Sequence, residues 1–195
     1  MPESVVQTMI IVIAVLVVGL AIFGYTSAFL APTEAFTIAE QQAAQIAAQT
    51  TISPGPLLVS SNGVGSVVVE AYDPSYSGNY TLYVFLIPSY LVTSAGVVTP
   101  NSPVVDNVYF TVYLPNKIQA STITGTQIYD INGNELYQGK LLVYSIPANT
   151  PVTIYLYKVP NQGEGYYIVI WLMINNGLYM FRVGYAYTGL PSSTG

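Results

Sequence analysis

The chain has 195 residues, 52% hydrophobic and only 7% charged, with four Lys plus Arg, nine Asp plus Glu, and neither His nor Cys. A soluble domain ordinarily carries about a quarter charged residues, so most of this chain expects contact with lipid, protein or a lightly charged surface. Without His and Cys, the Ser-His-Asp and Cys-His catalytic sets, the common zinc, copper, haem and iron-sulfur ligand sets and any disulfide are excluded. The net charge of -5, with the first basic residue at Lys117, argues against nucleic acid as a partner, because displacing counterions needs clustered Lys and Arg.

Thirty uncharged residues separate Glu3 from Glu34, and VVQTMIIVIAVLVVGLAIFGYTSAFLA forms the core of that run. About 20 apolar residues suffice for a helix to cross a bilayer. A secretory signal would have a basic leader and a shorter apolar stretch. The β-branched residues favour a strand in water, but in lipid only a helix satisfies so long a backbone. No Lys or Arg marks a cytoplasmic flank, so a permanent anchor is poorly signalled. Ala14, Ala21, Ala28 and Ala35 recur at seven-residue spacing with Gly19 and Gly24 nearby, which predicts a small-residue seam where helices approach closely.

After Pro32 the sequence TEAFTIAEQQAAQIAAQTT is rich in helix formers. The helix is predicted to resume there, with Thr33 as its cap and a kink or brief unwound turn at Pro32. Residues 4 to 51 would then form one bent rod of roughly 70 Å at 1.5 Å per residue. The SPGP at Ser53 to Pro56 ends it. The expected division is an assembly and membrane helix over residues 1–52 and a β-domain over 53–195.

From Leu57 onward, β-branched and aromatic runs punctuated by Gly, Pro and Asn predict strands at 66–72, 79–87, 108–114, 118–131, 135–146, 152–159, 166–174 and 178–187. Asn132-Gly133 and Asn176-Gly177 predict hairpin turns in which both residues accept positive φ. The fold class is α+β: a long hydrophobic N-terminal helix followed by an all-β, immunoglobulin-like sandwich. In YYIVIWLMI (166–174) both alternating sets are apolar or aromatic. That leaves open whether loops or a neighbouring molecule cover the second face.

Chemistry is sparse. Paired carboxylates are the only catalytic constellation the composition permits, and the candidates are Glu70 with Asp73 and Asp130 with Glu135; Asp73-Pro74 and the Asp130 to Glu135 hairpin look like turn chemistry. Asp73, Asp106, Asp130 and Glu164 would ligate calcium only if their loops converged, and the twelve-residue calcium loop is missing. No enzyme activity, metal or cofactor is expected. Asn79-Tyr80-Thr81 is an acceptor sequence for an N-linked glycan in an exported protein.

A long helix, apolar in its first half and joined without a linker to a β-domain, resembles the archaeal type IV pilins and the related archaellins. The layout of the whole chain and the opening ESVVQTMIIVIAVLVVGLAIFGYTSAF carry the likeness. Members of that family are made with a basic leader that a membrane peptidase removes; none precedes Met1, which is then either the first processed residue or the initiator. In bacterial relatives an acid near the mature N-terminus meets a neighbouring N-terminus, and Glu3 is the candidate here. The resemblance implies a homopolymer of many copies, inserted in the membrane before assembly, with helices forming the filament core and β-domains its extracellular wall. Such a filament would adhere to a surface or host-cell ligand. The alternatives are an archaellum subunit and a single-span, membrane-anchored surface β-domain.

Overall fold

A computed structural model describes residues 2–177 and 179–190; the side chains of Pro2, Glu3 and Gln162 are not among those described. The charge pairing expected of Glu3 therefore lies outside the described residues. The chain divides into two compact units, Met1–Ala39 and Glu40–Gly195.

The first unit is helical throughout. Helix α1 (Pro2–Tyr25) passes into a π-helical turn at Thr26–Leu30 and then into α2 (Ala31–Gln49), which runs on across the division. The Ala31 N–H donates to the Thr26 carbonyl, the wider i to i−5 bond of a π-turn. Pro32 explains it: in a tight α-turn its ring would meet the carbonyl of Ala28 and leave a hydrogen bond unmade. Widening the turn before the proline lets the helix continue. Thr33 is not a cap, because its hydroxyl donates 2.9 Å back to the Phe29 carbonyl. Thr8, Thr26 and Thr37 do the same to Ser4, Ile22 and Thr33, which satisfies each hydroxyl within the helix itself.

Among the described residues, the second unit holds the last turns of α2 and ten strands. These are β1 (Thr51–Pro54), β2 (Leu58–Val59), β3 (Gly65–Tyr72), β4 (Asn79–Pro88), β5 (Tyr109–Tyr113), β6 (Thr122–Tyr129), β7 (Glu135–Pro147), β8 (Val152–Tyr157), β9 (Tyr166–Asn175) and β10 (Met180–Gly189). A five-stranded sheet has the order β1-β3-β8-β5 with β2 beside β3, and β10-β6-β7-β4-β9 close into a barrel. The closure is a parallel pairing of Met180 with Ile128 and Phe181 with Tyr129. Every expected strand is present, and β1 and β2 are additions. The helix ends at Gln49 and the chain enters β1 at once. Pro54 is tolerated at the end of β1 because that strand lies at the sheet edge.

Sheet and barrel share a core. Phe110 of β5 packs against Tyr83 of β4 and Tyr144 of β7, with ring centroids 5.6 and 5.2 Å away. The Tyr144 hydroxyl donates to the Phe110 carbonyl at 3.0 Å. The end of α2 belongs to the same unit. Ala43 is completely buried, and the small side chain permits that close approach. Thr50 and Tyr80 hydroxyls lie 2.9 Å apart, and Asn176 Nδ2 donates to Gln42 Oε1.

Strand β9 resolves the doubly apolar pattern. Val169, Trp171 and Met173 are buried, and so are Ile168, Ile170 and Leu172 on the alternate face. The chain covers both faces itself, so no neighbouring molecule is needed there. The segment after β4 contributes: Arg182 Nη1 donates to the Gly96 carbonyl at 2.9 Å, and its guanidinium stacks 5.0 Å from the Trp171 ring. Tyr83 donates to Asn107 Oδ1, and Asn107 Nδ2 donates to the Pro100 carbonyl. Those bonds hold the segment down.

Both Asn-Gly turns differ from the expected two-residue form. Only Gly133 and Gly177 take positive φ, +76° and +75°; neither asparagine does. At the first turn, Gly133 N–H donates to the Asp130 carbonyl and Asp130 N–H to the Asn134 carbonyl. That is a type I turn followed by a left-handed glycine, the three-residue hairpin loop.

Candidate functional site

Two surfaces have features that folding alone does not explain. The first is the helix of the Met1–Ala39 unit. Val5, Ile10, Ile13, Leu16, Leu20 and Phe23 are all more than half exposed, and the apolar window of the helix has a mean hydropathy of 2.9 with none of it buried. An apolar surface of this extent marks contact with another molecule or a membrane. Ala14, Gly19, Ala21, Gly24, Ala28 and Ala35 are exposed along it. A Cβ placed on Gly19 or Gly24 would meet nothing within 4 Å. Nothing among the described residues accounts for their smallness. The threonine hydroxyls turned back onto their own helix remove donors from this surface, as a hydrocarbon or helix-packed environment requires.

The second surface lies on the outer side of β5 and β8. Phe110 and Val112 of β5 point into the core, as do Ile154 and Leu156 of β8, so the alternate residues face outward. The register places Tyr109 opposite Tyr157, Thr111 opposite Tyr155 and Tyr113 opposite Thr153. Tyr109 and Tyr157 have ring centroids 5.5 Å apart and tilted by 42°; Tyr113 and Tyr155 stand 5.6 Å apart, nearly edge to face. Thr111 is covered by them, its hydroxyl 3.3 Å from that of Tyr157. A hollow of about 530 Å³ lies over this strip beside Lys117, and a second of about 430 Å³ continues past Tyr157 to Lys158.

The candidate carboxylates sit in turns and on strands. Asp73 is buried, and its Oδ1 accepts the Ser75 N–H. The Asn149 side chain braces the same turn through the Asp73 N–H and carbonyl. Asp130 accepts the N–H groups of Asn132 and Asn134 and the Asn134 side-chain amide. Burial pushes the Asp130 carboxyl up, but these hydrogen bonds and the Arg182 charge outweigh it and hold the group below the usual carboxylate range. Glu70 lies on β3 and Glu135 begins β7. Among the described residues no three carboxylates gather into a metal-binding cluster, so Asp73, Asp106, Asp130 and Glu164 do not converge.

Asn79 is exposed at the first position of β4. Thr81 of the same acceptor sequence is buried and donates to the Met173 carbonyl at 3.2 Å. In the folded chain the threonine hydroxyl is thus occupied, so glycan transfer to Asn79 would have to precede closure of β4 onto β9.

Sequence reasoning found the apolar helix and missed the tyrosine strip. The alternation in Tyr109-Phe110-Thr111-Val112-Tyr113 and Thr153-Ile154-Tyr155-Leu156-Tyr157 was the available signal. The pairing of those two runs, separated by β6 and β7 in the chain, was not.

No protein-family model matches this chain, and no curated protein does. Among solved structures, the human F-spondin reeler domain (fragment 1) aligns with a TM-score of 0.36 and 11% identity, over 73% of this chain and 89% of that one. A conjugative transposon lipoprotein from Bacteroides eggerthii DSM 20697 aligns with a TM-score of 0.31 and 12% identity, over 72% and 96%. Likenesses of this size carry no conclusion about family or function.

Proposed function

We propose that this chain is the structural subunit of an extracellular, type IV pilus-like filament. It is held in the membrane by its apolar helix before assembly and afterwards buried by that helix against copies of itself. The observation that carries this reading is the exposed, uncharged helix from Val5 to Leu30. Water is the one environment it does not suit: at about 25 cal/mol per Å² of apolar surface, leaving it wet is far costlier than covering it. Lipid covers it equally well, but lipid gives no reason for Gly19 and Gly24, and close-packed helices do.

A helix-to-helix contact of one face with a different face, when its rotation does not close a ring, propagates as a filament. The β-domains then form the outer wall and make surface adhesion the filament's work. The finer architecture belongs to the same proposal: the β5-edged sheet packed on the barrel is read as an immunoglobulin-like sandwich whose second layer has curled closed. Catalysis plays no part in this reading, and neither nucleic acid nor a cofactor is a partner.

Electron microscopy of purified cell-surface material tests it. Filaments labelled by an antibody against the β-domain are the expected result. Discrete membrane-embedded copies that never stack would make the chain a single-span anchored β-domain instead. Loss of swimming in a deletion strain would make it an archaellum subunit.

A further inference from the structure

The geometry points to a saccharide-binding trough on the outer side of β5 and β8, taking a single chain of acidic pyranoses. A pyranose presents an apolar C–H face and a rim of hydroxyls, so it stacks on an aromatic ring while hydrogen-bonding at its edges. The strip supplies both: Tyr109 is 69% exposed and Tyr155 38%, and Tyr113, Tyr155 and Tyr157 line the hollow with Thr153. From Tyr109 to Tyr113 the strip runs four residues, about 13 Å at 3.3 Å each. The tilts of 42° and 83° between paired rings make a ridged trough, suited to a soluble strand, where a flat crystalline surface would need coplanar rings. Hollows of about 530 and 430 Å³ fit ring-sized guests better than a broad protein face.

Charge selects the acidic sugar. Of the four basic residues, Lys117 and Lys158 border the two ends of this trough. Both hold left-handed backbones, with φ of +62° and +60°, a conformation uncommon for lysine. Asp106 shares the Lys158 end; no carboxylate lines the Lys117 end. A uronate carboxylate therefore sits best beside Lys117, in a charge-assisted hydrogen bond. This inference goes beyond the filament reading and does not require polymerisation.

The test titrates the full chain, in a zwitterionic detergent without a sugar headgroup, with β-1,4-linked tetramannuronate and with neutral β-1,4-mannotetraose, by calorimetry. The acidic tetrasaccharide should bind about tenfold or more tighter than the neutral one. Tyr109→Ala and Tyr155→Ala should each weaken both by about tenfold, while Tyr155→Phe retains binding. Lys117→Gln should bring the acidic ligand down to the neutral one's affinity. Circular dichroism melts check that the variants fold, and Tyr109, the most exposed of the rings, serves if Tyr155→Ala does not. No heat with tetramannuronate, unchanged affinity in Tyr109→Ala, equal binding of polyglutamate, or strip-dependent self-association without sugar would each overturn the proposal. Filaments that fail to bind the sugar overturn the trough alone; a sugar-binding chain that never polymerises overturns the filament reading alone.

Discussion

At the residue scale, the two clearest titration effects act on opposite sides of neutrality. Asp130 has its pKa lowered on folding despite partial burial, because Asn132, Asn134 and Arg182 favour its charged form. A depressed carboxylate contributes stability that is present above the unfolded pKa, about 3.9, and lost as pH falls through the folded value. Asp130→Asn should therefore melt lower than the parent near pH 6, and the gap should shrink below about pH 4; a melting series against pH measures it. Tyr83 goes the other way. Burial, and secondarily Tyr137, push it up to about 12. Its contribution is intact below about pH 10 and lost as pH rises toward that value. Absorbance titration should find a late-ionising tyrosine class that Tyr83→Phe diminishes, with unfolding setting in over the same alkaline range. Asp73 and Asp130 are hydrogen-bonded turn residues, in keeping with the turn preference readable in their sequence.

At the element scale, regular period made some features legible and pairing hid the rest. The uninterrupted apolar run specified a helix because nothing else satisfies such a backbone in lipid. The alternating runs specified eight strands, but which strand neighbours which depends on contacts distant in sequence. So the parallel β6-β10 pairing that closes the barrel left no local mark, and neither did the β5-β8 tyrosine strip. Gly184 shows the same limit. A Cβ there would lie 2.8 Å from the Ile52 side chain, so a larger residue would push the Ile52 methyl aside where β10 meets β1, two elements far apart in the chain. The turn after Leu30 was half legible: Pro32 announced a disturbance, and the structure places the adjustment one turn earlier, in Thr26–Leu30. The seam makes its own prediction. Gly24→Leu or Ala21→Phe should leave the β-unit folded by circular dichroism but sharply reduce filament yield by electron microscopy; a full yield of normal filaments would remove the seam from the proposal.

At the scale of the whole molecule, the chain does not divide where its secondary structure changes. Glu40 to Gln49 is helical yet belongs to the unit that contains the strands, with Ala43 buried and Thr50 bonded to Tyr80. Composition drew attention to the prolines at Pro54 and Pro56, and the packing of an alanine-rich helix end was invisible to it. A chain beginning at Glu40 should be soluble and melt cooperatively. One beginning at Thr51 keeps β1 but loses the packed Ala43 and the Tyr80 hydrogen bond to Thr50, about 2 kcal/mol or more. It should melt roughly 5 °C lower or aggregate. Equal melting temperatures would show that the helix end adds nothing to the unit.

The π-turn carries a further consequence. It holds one residue more than an α-turn would use, and each helical residue advances the side chains by about 100°. Ala14 and Ala21 lie nearly on one azimuth, while Ala28 sits within the wide turn and Ala35 beyond it. The small residues before and after the turn are thus aimed differently. In the proposed filament each set can meet a separate neighbour, so excising a single amino acid at the wide turn would realign the two sets and change how copies wind round one another.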